Sequence, residues 1–342
     1  MTQSTTERTG AEPAGGQPGS LHPQGRGVLA DRAFWLVSLT AGVLVLAILA
    51  LILLTTVREA WPALKESGWG FLSSDVWIAN DPDGDGPLGP QFGVLAFIYG
   101  TLVVSLISLA IAVPVSIGIG LFLTELAPRR LRTGVVTVID LLAAIPSVVF
   151  GLWGILVVAP ALVPVYRWVH ESFGRVPLLG SLVGEPVSSG RNFLTAGLIL
   201  AIMIIPIITS ITREVFATVP QADKQAAYAL GATRWEMIKG AVLPHSFGGV
   251  VGAVMLGLGR AMGETIAVAL TIGAATQIVP NLFASGNALP AVIVQQWGES
   301  GGIHTAALVG CGTVLFAITI VINYAARIIV RRAEIRMKGA AT

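Results

Sequence analysis

The stretch FGVLAFIYGTLVVSLISLAIAVPVSIGIGLFLT, Phe92–Thr124, decides the architecture: it is 33 consecutive residues without a charged side chain. As a helix rising 1.5 Å per residue it would measure about 50 Å, against a bilayer hydrocarbon core of roughly 30 Å. It therefore reads as a short interfacial lead-in followed by a membrane-spanning helix, with a kink permitted at Pro114. Lipid offers backbone amides no hydrogen-bond partners, so a segment that crosses it satisfies them inside a helix.

Working outward, the same pattern recurs. Ala33–Val57 is an uncharged run of 25 residues, too long for the apolar core of a secretory signal, and reads as the first span. A third span is expected from about Val135 to Val158, with Asp140 near its start and Pro146 inside. Asn192–Thr212 reads as the fourth, Ser246–Ile278 with Arg260 and Glu264 as the fifth, and Ile303–Ala326 as the sixth. Composition agrees. The 342 residues are 54% hydrophobic and 12% charged, with mean hydropathy +0.78, where a soluble domain carries roughly 25% charge. The expectation is an all-α membrane protein of six transmembrane helices. Its segments are a disordered tail (1–30), the first helix with an outer loop (31–90), a core (91–332) carrying a segment at 213–245, and a second tail (333–342).

Basic residues orient the chain. The two tails, 125–133 and 213–245 together hold fifteen Lys and Arg, whereas the opposite set holds only Arg58, Lys65, Arg167, Arg175 and Arg191. Arg and Lys accumulate on the cytoplasmic side, so both termini are expected there. The formal net charge of +2 is too small and too scattered for nucleic-acid binding. The lone Cys311 excludes an internal disulfide, and His22, His170, His245 and His304 have no metal-ligand spacing. Cys311 reads as a packing residue and His304 as an interfacial histidine. Asp81–Gly86 (DPDGDG) opens like a calcium loop, but Phe92 stands where the bidentate Glu is required, so it reads as an outer turn. Trp61, Trp69, Trp77, Tyr166, Trp168 and Trp297 fit an aromatic belt at the headgroups, or a docking face. Asp140 reads as an interfacial carboxylate or helix-start charge rather than a proton relay.

Two segments carry chemistry. Residues 213–245, REVFATVPQADKQAAYALGATRWEMIKGAVLPH, read as a helix after Pro220, a turn at Gly231, and a second short helix stopped at Leu243–Pro244. Such a knob suits a transporter pushed by a separate motor. In MLGLGRAMGETIAV (255–268), Arg260 and Glu264 stand four apart, on one face of a continuous helix. Intramembrane charges need a partner or a watery path, so the two either neutralise each other or serve transport. Gly257, Gly259 and Gly263 read as allowing close helix packing. No Lys follows a Gly, so the chain has no nucleotide-binding P-loop of its own.

Gln225-Ala226-Ala227, Gly231 and Ala241-Val242-Leu243-Pro244 resemble the signature of ABC importer permeases, with Gln for the usual Glu and Ala for the usual Ile. With QFGVLAFIYGTL, LFLTELAP, AAIPSVVFGLWG and LGLGRAMGETIAV, the chain over roughly 90–330 is similar to the PstC-type permeases of phosphate-specific ABC importers. The resemblance implies the ABC importer permease (MetI-like) fold and a bacterial plasma-membrane location. It implies ATPase coupling through Gln225, Ala226, Ala227, Gly231, Leu243 and Pro244, and phosphate passage at Arg260 and Glu264. It further implies a sister permease completing a heterodimer, two ATPase subunits holding ATP and Mg, and an extracytoplasmic phosphate-binding protein. This chain itself binds no cofactor on that reading. Permeation of another oxyanion (sulfate or molybdate), or ion-coupled secondary transport, are the alternatives.

Overall fold

The computed structural model describes residues 26–79, 91–177 and 179–339. The Asp81–Gly86 turn and most of the N-terminal tail lie outside them. Helix α1 (Arg26–Ser67) starts inside the segment expected to be tail and contains the uncharged run Ala33–Val57. The chain divides into two compact units, residues 1–54 and 55–342. Within the first, the described residues form the opening part of α1. The second holds the remaining elements.

Six helical stretches are long and apolar enough to cross a membrane: Ala30–Ser67, Leu95–Leu126, Ser147–Phe173, Phe193–Ala217, Arg234–Gly263 and Ile303–Ile328. After α1 come a single turn, α2 (Gly70–Ser73), and two short antiparallel strands, β1 (Trp77–Ile78) and β2 (Gln91–Phe92). Helix α3 (Leu95–Leu121) runs unbroken through Pro114 and ends in a π-helical turn over Phe122–Leu126.

The third span differs from the sequence expectation. Residues Arg129–Ala144 form a separate helix, α4, with no buried side chain, and Asp140 lies on it, exposed. The chain is extended at Ile145 because the pyrrolidine of Pro146 crowds a helical conformation in the residue before it. The span itself is α5 (Ser147–Trp153), a π turn (Gly154–Val158) and α6 (Ala159–Phe173). It reaches 15 residues beyond the expected end at Val158. The short α7 (Leu179–Leu182) leads to α8 (Phe193–Ala217), whose start is capped by the Asn192 side chain accepting from the Thr195 N–H at 2.8 Å.

Helix α8 is the most enclosed of the six spans, and the main core forms around it. Ile204, Ile208 and Leu200 from α8 pack with Val104 of α3, Ala253 and Ala261 of α11 (Leu243–Gly263), Val268 of α12 (Ile266–Thr271) and Ala291 of α13 (Leu289–Gln296). Between α8 and α11 stand the short helices α9 (Gln221–Ala229) and α10 (Arg234–Met237). A second core gathers Phe71, Phe92, Phe97, Leu289, Leu308 and Cys311. Cys311 is fully buried there, as the packing reading expects. His304 is buried among its neighbours. It is 5% exposed, stacked on the Phe92 ring, and its Nε2 lies 3.1 Å from Gln296 Oε1. Trp77 donates to the same oxygen at 2.8 Å, and Tyr166 is buried against Thr195 and Phe283. Of the six aromatics that fit a belt or docking face, Trp61, Trp69, Trp168 and Trp297 are exposed.

The last helix, α14 (Ile303–Gly339), begins where expected and continues beyond Ala326 into the segment expected to be tail.

Candidate substrate path and coupling surface

Helices α11 and α14 line an open cavity of about 660 Å³. Its α11 wall runs from Gly248 through Gly252, Met255 and Gly259 to Arg260, residues that largely repeat at three and four and so share one helix face. The α14 wall is Asn323, Ala326, Arg327 and Val330, again at helical spacing. No acidic side chain lines it among the described residues. Arg260 is exposed and stands in the last turn of α11.

The glycines on this helix do two different things. A Cβ at Gly257 would lie 2.6 Å from the Ile208 side chain, so its bare backbone lets α11 approach α8 closely. At Gly252, Gly259 and Gly263 a Cβ would meet nothing within 4 Å. The close-packing expectation thus holds for Gly257 and fails for Gly259 and Gly263; Gly252 and Gly259 leave room on the cavity wall.

Arg260 and Glu264 are not brought together on one continuous helix. The helix stops at Gly263, and Glu264 has extended backbone (φ −70°, ψ 125°). Its side chain is 8% exposed and accepts from the Ala267 N–H at 3.4 Å, so a carboxylate meets the positive start of α12. Among the described residues the ion pairs are Arg213–Glu214 and Lys224–Glu125, and neither Arg260 nor Glu264 belongs to one. The break has a local cause: Gly263 is a weak helix former, and the Glu264 carboxylate accepts from a free amide at the start of the next helix. The expected single span Ser246–Ile278 therefore becomes α11 followed by the buried α12.

The 213–245 segment has the expected knob with a different exit. Pro220 precedes α9, and Gly231 adopts φ +81°, a left-handed conformation that suits a residue without Cβ. Thr233 and Glu236 then form a reciprocal capping box that starts α10. Leu243–Pro244 does not stop the chain. A π turn over Ile238–Val242 carries α10 directly into α11, with Pro244 in its first turn. On the knob, Gln225, Ala226, Gly231 and Pro244 are exposed, while Ala227 and Leu243 pack inward beside Phe216, Met237 and Ile238. Leu230 is 90% exposed and Trp235 63%, an apolar tip around the turn.

An ion pair that no sequence signal reveals lies beneath this surface. Lys224 Nζ donates to Glu125 Oε1 at 2.6 Å, with both side chains 9% exposed, tying α9 to the π turn that ends α3. The partners are 99 residues apart, so no spacing links them.

The chain matches the family described as "Binding-protein-dependent transport system inner membrane component" over residues 116–338. Its relatives include the phosphate transport system permease protein PstC of Mesorhizobium japonicum, 42% identical over 91% of this chain and 93% of that one. The counterpart from Xylella fastidiosa is 42% identical over 91% and 94%, and that from Haemophilus influenzae 40% over 85% and 90%. Among solved structures, a bacterial alginate ABC transporter chain aligns at TM-score 0.54 with 17% identity, over 89% of this chain and 96% of that one. A chain of the MetNI methionine ABC transporter aligns at 0.51, also with 17% identity, over 70% and 95%. These two share the fold. The chain belongs to the family of binding-protein-dependent transport system inner membrane components, among its PstC-type permeases.

Proposed function

We propose that this chain is a permease subunit of an ATP-driven inorganic phosphate importer, a multi-pass protein of the bacterial cell membrane with both termini in the cytoplasm. The observation that carries the reading is identity above 40%, across nine tenths of the chain, to phosphate transport permeases. The chain forms half of the path with a sister permease. Two ATPase subunits hold ATP and Mg, and an extracytoplasmic binding protein delivers phosphate.

Moving one negative charge into an inside-negative cell costs about 2.3 kcal/mol per 100 mV, which favours an energised pump over a passive pore. Arg260 meets the anion. Its planar guanidinium offers parallel N–H donors to phosphate oxygens, and the cavity supplies no carboxylate to compete among the described residues. Glu264 acts by position, capping α12 so that α11 ends one turn past Arg260. Gln225, Ala226, Ala227, Gly231, Leu243 and Pro244 form the coupling surface. The exposed tip at Tyr228, Leu230 and Trp235 enters a cleft of the ATPase, and ATP-driven closure pushes it, rocking α11.

The test is uptake of radiolabelled phosphate, with sulfate as competitor, by proteoliposomes holding the coexpressed complex. Wild type takes up phosphate only with ATP, and Arg260→Ala loses uptake while the complex stays assembled. Sulfate uptake instead would overturn the substrate; phosphate uptake without ATP would overturn the mechanism.

A further inference from the structure

Arg327 shares the α11–α14 cavity with Arg260. It is exposed, it belongs to no ion pair among the described residues, and Asn323 lines the same wall one turn earlier. A basic residue near the end of an apolar helix usually serves only to orient it. Arg332, exposed on the same helix outside the cavity, fits that description. Arg327 differs in facing a volume of about 660 Å³ whose other wall is opened by two glycines with free space above them. A guanidinium with a carboxamide one turn away, and no carboxylate among the described lining residues, suits a tetrahedral oxyanion.

The two arginines stand at different levels. Arg327 lies 24 residues, about 36 Å, along α14 from Ile303, close to where that helix leaves a hydrocarbon core of roughly 30 Å. Arg260 lies 17 residues, about 26 Å, from the start of α11. Consecutive spans run in opposite directions, so Arg260 sits toward the outer half and Arg327 at the cytoplasmic end. An ion leaves a path readily when each site holds it weakly and another follows.

We propose that Arg327, assisted by Asn323, is a second phosphate station, which receives the anion after Arg260 and releases it to the cytoplasm. This rests on the phosphate importer reading. A lipid phosphodiester has the same oxyanion chemistry, but an α11 wall that continues up to Arg260 favours a mobile ion over a headgroup held at the membrane surface.

The test uses the whole complex in proteoliposomes, measuring ATP-driven phosphate uptake and binding-protein-stimulated ATP hydrolysis together. Arg327→Gln lowers uptake about tenfold, the weight of one charge-assisted hydrogen bond, while hydrolysis stays within about twofold of wild type. Arg327→Lys keeps most uptake, and Arg332→Gln changes neither readout. Wild-type uptake in Arg327→Gln overturns the station, as does an equal loss in Arg332→Gln. A loss confined to vesicles containing anionic lipid, absent in pure phosphatidylcholine, assigns the site to a headgroup and also overturns it. If the wild-type complex carries sulfate, the phosphate reading falls; the same variants assayed with sulfate still decide whether Arg327 is a station.

Discussion

At the scale of single residues, the pairings expected from spacing give way to pairings made by packing. Arg260 and Glu264 stand at helical spacing, yet one faces a cavity and the other caps α12. The ion pair that does form buried is Lys224–Glu125. Removing one member leaves a charge without its partner in a poorly hydrated place, which costs about 3 kcal/mol or more, whereas replacing both by apolar residues is close to neutral. Glu125→Leu should therefore lower the thermal stability of the solubilised complex, and Glu125→Leu with Lys224→Met should restore most of it. Equal stability of wild type and Glu125→Leu would show that the pair contributes nothing.

At the scale of elements, three π-helical turns share one setting. Phe122–Leu126, Gly154–Val158 and Ile238–Val242 each end two residues before a proline, at Pro128, Pro160 and Pro244. Proline has no N–H, so the carbonyl four residues earlier loses its α-helical donor. In each, the ladder widens by one residue just ahead of the proline: Ala127, Ala159 and Leu243 donate to Phe122, Gly154 and Ile238. At Pro128 the helix ends; at Pro160 and Pro244 it passes through, although Leu243–Pro244 reads in the sequence as a stop. The coupling knob depends on the third turn, because it joins α10 directly to α11. A prediction at this scale concerns its tip. Leu230→Asp, at a residue 90% exposed, should change fold stability by no more than about 0.5 kcal/mol. It should nevertheless lower both phosphate uptake and co-purification of the ATPase subunits, because it puts a charge where an apolar contact is needed. Full uptake in that variant would remove the tip from the coupling surface.

At the scale of the whole molecule, the distribution of Arg and Lys predicts the orientation, and labelling checks it. The native Cys311 is fully buried and should not react. A cysteine at Glu299, exposed after α13, should react with a membrane-impermeant maleimide in intact cells. One at Gln221, exposed at the start of α9, should react only after permeabilisation. The reverse pattern would invert the topology.

The sequence by itself determined the number of spans, the knob around Gly231 and the family, because uncharged runs, turn residues and motif spacing are local properties that survive without a fold. It also singled out Arg260, since a charge in an apolar run is conspicuous by composition alone. The structure shows where the runs break, and the causes are local: Pro146 excludes helix at Ile145 and so separates α4 from the third span, and Gly263–Glu264 ends α11. Tertiary structure decided the long-range partners. It alone joined Lys224 to Glu125, and set Arg327 beside Arg260 in one cavity. Those partners lie far apart along the chain, and only the packing of α9 on the end of α3 joins one pair, while that of α11 on α14 gives the two arginines a shared cavity.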